Sequence, residues 1–446
     1  MNQIQIPVFV INLKSRTDRK QHILQQFHEK KEFDVHIVEA CEHKNGAIGL
    51  WKSITNILQE LINTEIDFVI ICEDDHEFTK EYNKEYLFEC IAEAKENEAD
   101  ILLGGVSWFT TMIEVSENLF WVEKFTGTQF TILFRKFFNN ILEADFGNHD
   151  SADYKICSLT ENKFFMNPFI SVQKDFGYSD ATTKNNRPGI VKEFFDNSVE
   201  SITTFKKVNS FYQNKKDGIP PNQQFYSNVT IPTYIITLSE HIEGRIHIEK
   251  QFKGRSEFDI TLVETVKHKI AGVGLWLSIR KVIKMAIENE DDVIIISDDC
   301  HEFPTSYSRD FLIQNIIESN EQQADFLSGS TYNFQAAIPV TKNRYWINPC
   351  LSTQFIIIYK RFFKRILEEP FDEHIVADRL LLDITSNKMV LFPFISTKRD
   401  FLYKTDLQNV AKTNMNSMFG DSFKRLEVIQ SAYLKYRGIT IDGIDV

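Results

Sequence analysis

Three acids in a row, Glu73-Asp74-Asp75, close the apolar run Asp67-Phe68-Val69-Ile70-Ile71-Cys72. Like charges this close repel and raise one another's pKa unless a cation or hydrogen-bond donors offset them. A divalent metal is the simplest partner: hard carboxylate oxygens suit Mg²⁺ or Mn²⁺, and a bound diphosphate would complete the octahedron. The alternative is a solvated acidic turn after a strand, and a bare triplet does not separate the two. A second copy in the same chain discriminates further. CEDDHEF at 72–78 recurs as SDDCHEF at 297–303, so Glu73-Asp74 become Asp298-Asp299 while Asp75 becomes Cys300. Folding tolerates the loss of the third acid.

That recurrence is one of several at a shift of 225 residues. Ile6-Pro7 maps onto Ile231-Pro232, Phe33-Asp34 onto Phe258-Asp259, Gly49-Leu50-Trp51 onto Gly274-Leu275-Trp276, and Pro168-Phe169-Ile170-Ser171 onto Pro393-Phe394-Ile395-Ser396, without insertions. A period this long lies far outside solenoid repeats and reads as a duplicated whole domain. Each copy alternates strand and helix. Pro7-Val8-Phe9-Val10-Ile11 reads as a strand followed by a polar segment of helical character, and Val35-His36-Ile37-Val38 as a second strand. Ile48, Trp51, Ile54, Leu58 and Leu61 then fall at helical spacing, matched by Val273, Trp276, Ile279, Ile283 and Ile287, so this helix buries one face and both tryptophans belong to the core. The run ending at Cys72 reads as a buried central strand. The acids thus sit at a strand's C-terminal end, where open α/β sheets bind ligands. A helix-like stretch at 192–209 leads into a linker, which gives two α/β domains, 1–225 and 226–446.

With 446 residues and 43% hydrophobic content the chain can bury two cores. A formal net charge of −13 gives no electrostatic basis for non-specific binding to nucleic acid or an anionic membrane. Six cysteines lack the spacing of a disulfide framework or of zinc sites and read as reduced thiols in a cytosol. No signal peptide is expected at MNQIQIPVFVINL, and no run approaches a membrane helix, so a cytoplasmic protein is expected.

The motifs VFVINLKSRTDRKQHI at 8–23, GAIGLWKSI at 46–54, VIICEDD at 69–75, ADILLGG at 99–105 and GTQFTILFRKFF at 127–138 resemble glycosyltransferase family 25, which includes lipopolysaccharide and collagen galactosyltransferases. The chain departs from the family's pattern at Ser53-Ile54 and at Gln129, where a Ser-His pair and a histidine are usual. The resemblance implies two tandem GT-A (Rossmann-like) domains and inverting, metal-dependent transfer of a hexose, galactose favoured, from a UDP-sugar to a glycan, lipid-linked sugar or protein acceptor. It implies Asp75 as metal ligand with Glu73 or Asp74 assisting at ribose or metal-bound water, and Asp180 or water in the third position, since copy one has no histidine after His149. Asn12, Arg16, Asp18 and Arg19 would meet uridine and diphosphate, arginine being suited to bidentate phosphate binding. Gln173 and Ser179 belong to the resembled closing stretch, SVQKDFGYSD at 171–180. Asp153, by resemblance, and Asp150, by internal comparison, are the candidates for the base that deprotonates the acceptor hydroxyl.

Copy two replaces Asn12, Arg16, Asp18 and Arg19 by Thr237, His241, Glu243 and Gly244, and Gln173, Ser179 and Asp180 by Lys398, Lys404 and Thr405. Asp153 is kept as Asp378, whereas Asp150 becomes Ile375. Such losses beside a retained core pattern read as a degenerate, non-catalytic copy. Two other readings stand beside this one: a carbohydrate-binding or scaffold protein, and an enzyme with both domains active. His76 and His301 coincide directly after the acids, which suits either a loop role or metal binding. Asp175, kept as Asp400, suits a loop hydrogen bond.

Overall fold

The computed structural model describes residues 5–177, 187–213, 229–350, 352–370, 377–399 and 415–438. The chain divides into two compact units, Met1–Lys206 with Leu434–Val446, and Lys207–Tyr433. The expected boundary near 225 lies outside the described residues.

In the first unit the strands are β1 (Ile6–Asn12), β2 (Phe33–Glu39), β3 (Phe68–Glu73), β4 (His76–Phe78), β5 (Ile101–Leu103), β6 (Trp108–Phe109), β7 (Met112–Glu114), β8 (Leu119–Val122), β9 (Phe125–Thr126), β10 (Phe130–Phe134), β11 (Lys163–Met166) and β12 (Ser171–Gln173). The helices are α1 (Thr17–Phe27), α2 (Gly46–Leu61), α3 (Lys84–Glu96), α4 (Phe138–Leu142), α5 (Ala152–Ser158) and α6 (Ile190–Gln213), whose last turns run into the second unit. Eight strands form a mixed sheet in the order β2-β1-β3-β10-β5-β11-β8-β7. β1 lies parallel to β2 and β3, and β10 runs antiparallel to β3 and β5. Parallel neighbours require crossover helices, and α1 and α2 supply them. β10 is buried along its whole length and β3 at every position but its two ends, as the apolar runs require.

The second unit's strands are β13 (Ile231–Thr237), β14 (Phe258–Glu264), β15 (Val293–Asp298), β16 (His301–Glu302), β17 (Phe326–Ser328), β18 (Ala336–Thr341), β19 (Arg344–Asn348), β20 (Phe355–Tyr359), β21 (Lys388–Leu391) and β22 (Thr397–Lys398). Its helices include α7 (Ile242–Phe252), α8 (Ala271–Glu288), α9 (Arg309–Glu321), α10 (Lys360–Glu368), α11 (Ala377–Asp383) and most of α12 (Met415–Arg437). Its sheet, β14-β13-β15-β20-β17-β21-β19-β18, has the same order, and the register repeats: Ile6 faces Phe33, and Ile231 faces Phe258.

The repeated GLW motif has a packing cause. A Cβ on Gly49 would meet the Cys41 carbonyl oxygen at 2.4 Å, and one on Gly274 the Val266 carbonyl at 2.6 Å. This close approach lets Ser53 Oγ donate to the Gly49 carbonyl and accept from the Cys41 amide, both at 2.8 Å. Ser278 repeats the bridge with Gly274 and Val266. Trp51 and Trp276 are core residues, as the spacing predicts. The stripe on α8 differs from the expectation at its end: the 225-residue shift carries Leu61 onto Ala286, which is buried, and Ile287, one position further round the helix, is 48% exposed. No helix among the described residues is long and apolar enough to cross a membrane.

Candidate active site

Glu73 ends β3, Asp74 and Asp75 form the turn, and His76 opens β4. The turn is anchored from beneath. His76 is fully buried, its Nδ1 lies 2.8 Å from Ser171 Oγ, and its carbonyl meets His22 Nε2 at 2.9 Å. In the second unit His301, Ser396 and His247 make the same contacts at the same distances. Burial holds both His76 and His301 well below the usual histidine range, hence neutral. Of the two roles open to this pair, the contacts are those of a loop anchor. Asp175 likewise accepts from the amides of Gly177 (2.7 Å) and Gly189 (2.6 Å) as a loop hydrogen-bond hub.

Asp74 is buried and accepts from Asn12 Nδ2 at 2.8 Å and from Arg19 at 3.0 Å. The same Arg19 nitrogen reaches Asp75 Oδ2 at 3.2 Å. Arg19 is itself buried, with the Phe176 ring 4.7 Å away. One guanidinium therefore serves two of three acids. Burial first, and then the charge of Asp75, push Glu73 up to about 8, against the hydrogen bond that Thr128 Oγ1 donates to its Oε1 at 2.6 Å. Burial lifts Asp75 to about 6, with Arg19 opposing.

The triplet stands where two cavities meet. One, of about 630 Å³, opens between the loops after β1 and β2 and is lined by Ile11, Leu13, Arg16, Arg19, His43 and Lys44, among others. The other, of about 680 Å³, is bounded by Trp108, Thr128, Asp150, Asp153, Tyr154 and Gln173. Arg19, Leu50, Glu73 and Asp75 line both. The first cavity sets Arg16, Arg19 and Lys44 against Glu42 and the triplet, a mixed lining, whereas carboxylates outnumber cations in the second.

Asp75 Oδ1 is buried and has no hydrogen-bond partner among the described residues. Among those residues no group of three or more His, Cys, Asp or Glu side chains could by itself hold a metal ion. Two carboxylates, with the rest of the shell left to water and phosphate oxygens, form the donor set that Mg²⁺ takes beside a nucleotide, and the site fits that arrangement rather than a closed protein cage.

Of the residues singled out in the sequence, Asn12, Arg19, Asp74 and Asp75 converge in one network, and Glu73 stands beside it, held by Thr128. Arg16 lines the first cavity, and Asp150, Asp153 and Gln173 line the second, acidic one. Asp18 is exposed in the first turn of α1 and lines neither cavity. Ser179 and Asp180 lie outside the described residues. Thr128, Trp108, Tyr154 and Phe176 enter unannounced. Thr128 recurs as Thr353, which reads as fold, whereas Trp108 and Tyr154 become Asn333 and Arg379, a loss that does mark them.

In the second unit the corresponding turn is filled from within. Asp299 Oδ2 accepts from Thr237 Oγ1 at 2.6 Å and meets His241 Nδ1 at 2.7 Å. A Cβ on Gly244, the counterpart of Arg19, would lie 2.2 Å from His241 Nδ1 and 2.8 Å from Asp299 Oδ2. The imidazole occupies the space that a side chain at position 244 would need. Cys300 is buried, and its amide donates to Asp298 Oδ1 at 3.0 Å.

The raised carboxyls set a pH dependence. Glu73 and Asp75 bind protons more tightly folded than unfolded, so their contribution to stability is full below the ordinary carboxyl range, about 4, and is lost as pH rises through about 6 to 8. Relative to wild type, Glu73→Gln is expected to flatten the metal-free decline in Tm over that window. Mn²⁺ is expected to raise the wild-type Tm most at the alkaline end, because binding displaces those protons. Thermal melts with and without Mn²⁺ check both; identical wild-type and variant slopes would contradict the assignment.

Residues 5–60 match the family model described as glycosyltransferase family 25 (LPS biosynthesis protein). That span carries β1, α1, β2 and nearly all of α2, hence Asn12, Arg16, Arg19 and every lining residue of the first cavity except the acidic triplet. No curated protein matches the chain. Among solved structures it is similar to A197 from STIV (14% identity, 39% of this chain and 87% of that one, TM-score 0.29). It is also similar to apo UDP-glucose pyrophosphorylase (9%, 43% and 82%, TM-score 0.27) and to HddC from Yersinia pseudotuberculosis (11%, 33% and 84%, TM-score 0.20).

Proposed function

We propose that the first unit is a nucleotide-sugar-dependent glycosyltransferase of GT-A type that moves a hexose, galactose favoured, from a UDP-sugar to an acceptor hydroxyl with inversion. The observation that carries the reading is the unpartnered Asp75 oxygen beside the raised Glu73 carboxyl, set between a cavity with Arg16 and Lys44 in its wall and an acidic cavity, within a chain whose residues 5–60 match a glycosyltransferase model. The first cavity suits the nucleotide: Ile11 and Leu13 offer apolar surface for a base, and Arg16 and Lys44 offer charge for phosphates.

Asp75 and Glu73 would hold a Mn²⁺ or Mg²⁺ ion, which supplies positive charge to offset that gathering on the departing diphosphate. Arg19 pairs with Asp74 and Asp75 and orients both carboxylates. The acceptor hydroxyl oxygen attacks the anomeric carbon as the bond from that carbon to the phosphate oxygen breaks; UDP leaves with the electron pair, and Asp153 takes the hydroxyl proton. Asp153 is preferred to Asp150 because its charge reaches Glu73, whereas Asp150 faces Lys155 at 4.0 Å; each carboxylate also accepts one backbone amide at 2.8 Å, from Tyr154 and Gly147 respectively.

The shared strand order and the register repeated at the 225-residue shift support a tandem duplication, and the filled turn at Asp299 supports a second domain without catalysis. A screen of UDP-sugars for Mn²⁺-dependent hydrolysis by the full chain tests both parts. Turnover of at least one donor, unchanged by Asp299→Asn, is expected. No turnover of any donor would favour a carbohydrate-binding protein, and loss of turnover in Asp299→Asn would favour a bifunctional enzyme.

A further inference from the structure

The acidic cavity carries two rings that neither donor binding nor proton transfer uses. β6 pairs with β9, setting Phe109 into the core against Phe165 and Phe205, so the alternating neighbour Trp108 faces the other way, into the cavity. On α5, Ala152, Ile156 and Cys157 are buried, and Tyr154, half a helical turn from Ala152, is 52% exposed beside the cavity. The two ring centroids are 6.3 Å apart with planes at 55°, an open aromatic corner. Tyr154 follows Asp153 directly, which places the corner next to the proposed base.

Folding does not require these rings. The second copy keeps Ala152-Asp153 as Ala377-Asp378 and Thr128-Gln129 as Thr353-Gln354, yet has Asn333 and Arg379 where Trp108 and Tyr154 stand. An exposed aromatic pair is a hydrophobic surface left in water, a cost that a ligand's apolar face removes. The surrounding charge narrows that ligand. Glu73, Asp75, Asp150, Asp153 and Asp175 line the cavity against the cations Arg19 and Lys174, and Arg19 already serves Asp74 and Asp75. A negatively charged acceptor would be repelled, whereas the hydroxyls of a neutral sugar find carboxylate acceptors.

Building on the glycosyltransferase reading, we propose that Trp108 and Tyr154 form the acceptor platform, stacking the C–H face of an uncharged sugar ring so that its hydroxyl meets Asp153. The acceptor is therefore an uncharged sugar rather than an acidic one.

Four of the five tryptophans are buried, so Trp108 is a natural reporter. The full chain is titrated, with UDP and Mn²⁺ present, with methyl β-glycosides of galactose, glucose and N-acetylglucosamine, and with methyl β-glucuronide as the anionic control. At least one neutral glycoside is expected to quench tryptophan fluorescence in wild type and not in Trp108→Phe, with glucuronide binding at least about tenfold more weakly. Tyr154→Ala is expected to weaken the neutral glycoside by about tenfold or more. UDP affinity, read by calorimetry on the same variants, should be unchanged. Quenching by no glycoside, quenching that persists in Trp108→Phe, equal binding of glucuronide, or unaltered affinity in Tyr154→Ala would each overturn the platform. Failure of the wild type to bind UDP at all would instead strike the glycosyltransferase reading on which the platform rests.

Discussion

Asp75→Asn is expected to abolish sugar transfer and leave a folded protein. Outer partners of metal ligands alone are worth about 10–100-fold, so removing one of only two protein ligands should weaken Mn²⁺-dependent UDP binding by at least about a hundredfold. The variant loses the Arg19 contact at 3.2 Å but also the charge that raises Glu73. Its Tm at alkaline pH should therefore equal or exceed that of wild type. Cys300 at the matching place in a folded second unit supports the same expectation. Circular dichroism melts with UDP calorimetry separate the outcomes: an unfolded variant would make Asp75 structural, and undiminished UDP binding would remove it from the metal site.

Asp153→Asn is expected to lower kcat by about 10²–10⁴, the usual worth of a positioned general base, with donor affinity unchanged. Asp150→Asn should cost far less, because Asp150 is set 4.0 Å from Lys155 Nζ and its charge does not reach Glu73 as that of Asp153 does. Steady-state kinetics with the best neutral glycoside, alongside UDP titrations, decides between them. A larger loss in Asp150→Asn would exchange the two roles. Equal small losses would place the base among other residues of the acidic cavity.

The elements of the sheet and its crossover helices were legible because their signals are local. β-branched apolar runs and a helical stripe need only a few adjacent residues to be read, and β1, β2, β3 and α2 appear where the patterns predict them. The acidic triplet was legible for the same reason, and the internal repeat added which acid the fold can lose. Partnerships were not legible. Arg19 finds Asp74 across 55 residues of sequence, and a single turn of α1 decides that Arg19 faces the acids while Asp18 faces solvent. The resemblance implies both beside the diphosphate; in the structure Arg19 pairs with Asp74 and Asp75 while lining both cavities. Trp108 and Tyr154 escaped because each is one aromatic residue in a chain that is 13% aromatic, and only the geometry of β6 and α5 turns them to one cavity. His76 shows the converse: its repetition left two roles open, and burial against Ser171 selects one.

Calorimetric titration of UDP into the full chain, in Mn²⁺ and then in EDTA, tests the proposed site most directly. The arrangement of Glu73 and Asp75 predicts one UDP per chain in Mn²⁺ and loss of binding in EDTA, because without the cation the carboxylates repel the diphosphate. Equal affinity in both conditions, or no binding in either, would contradict it.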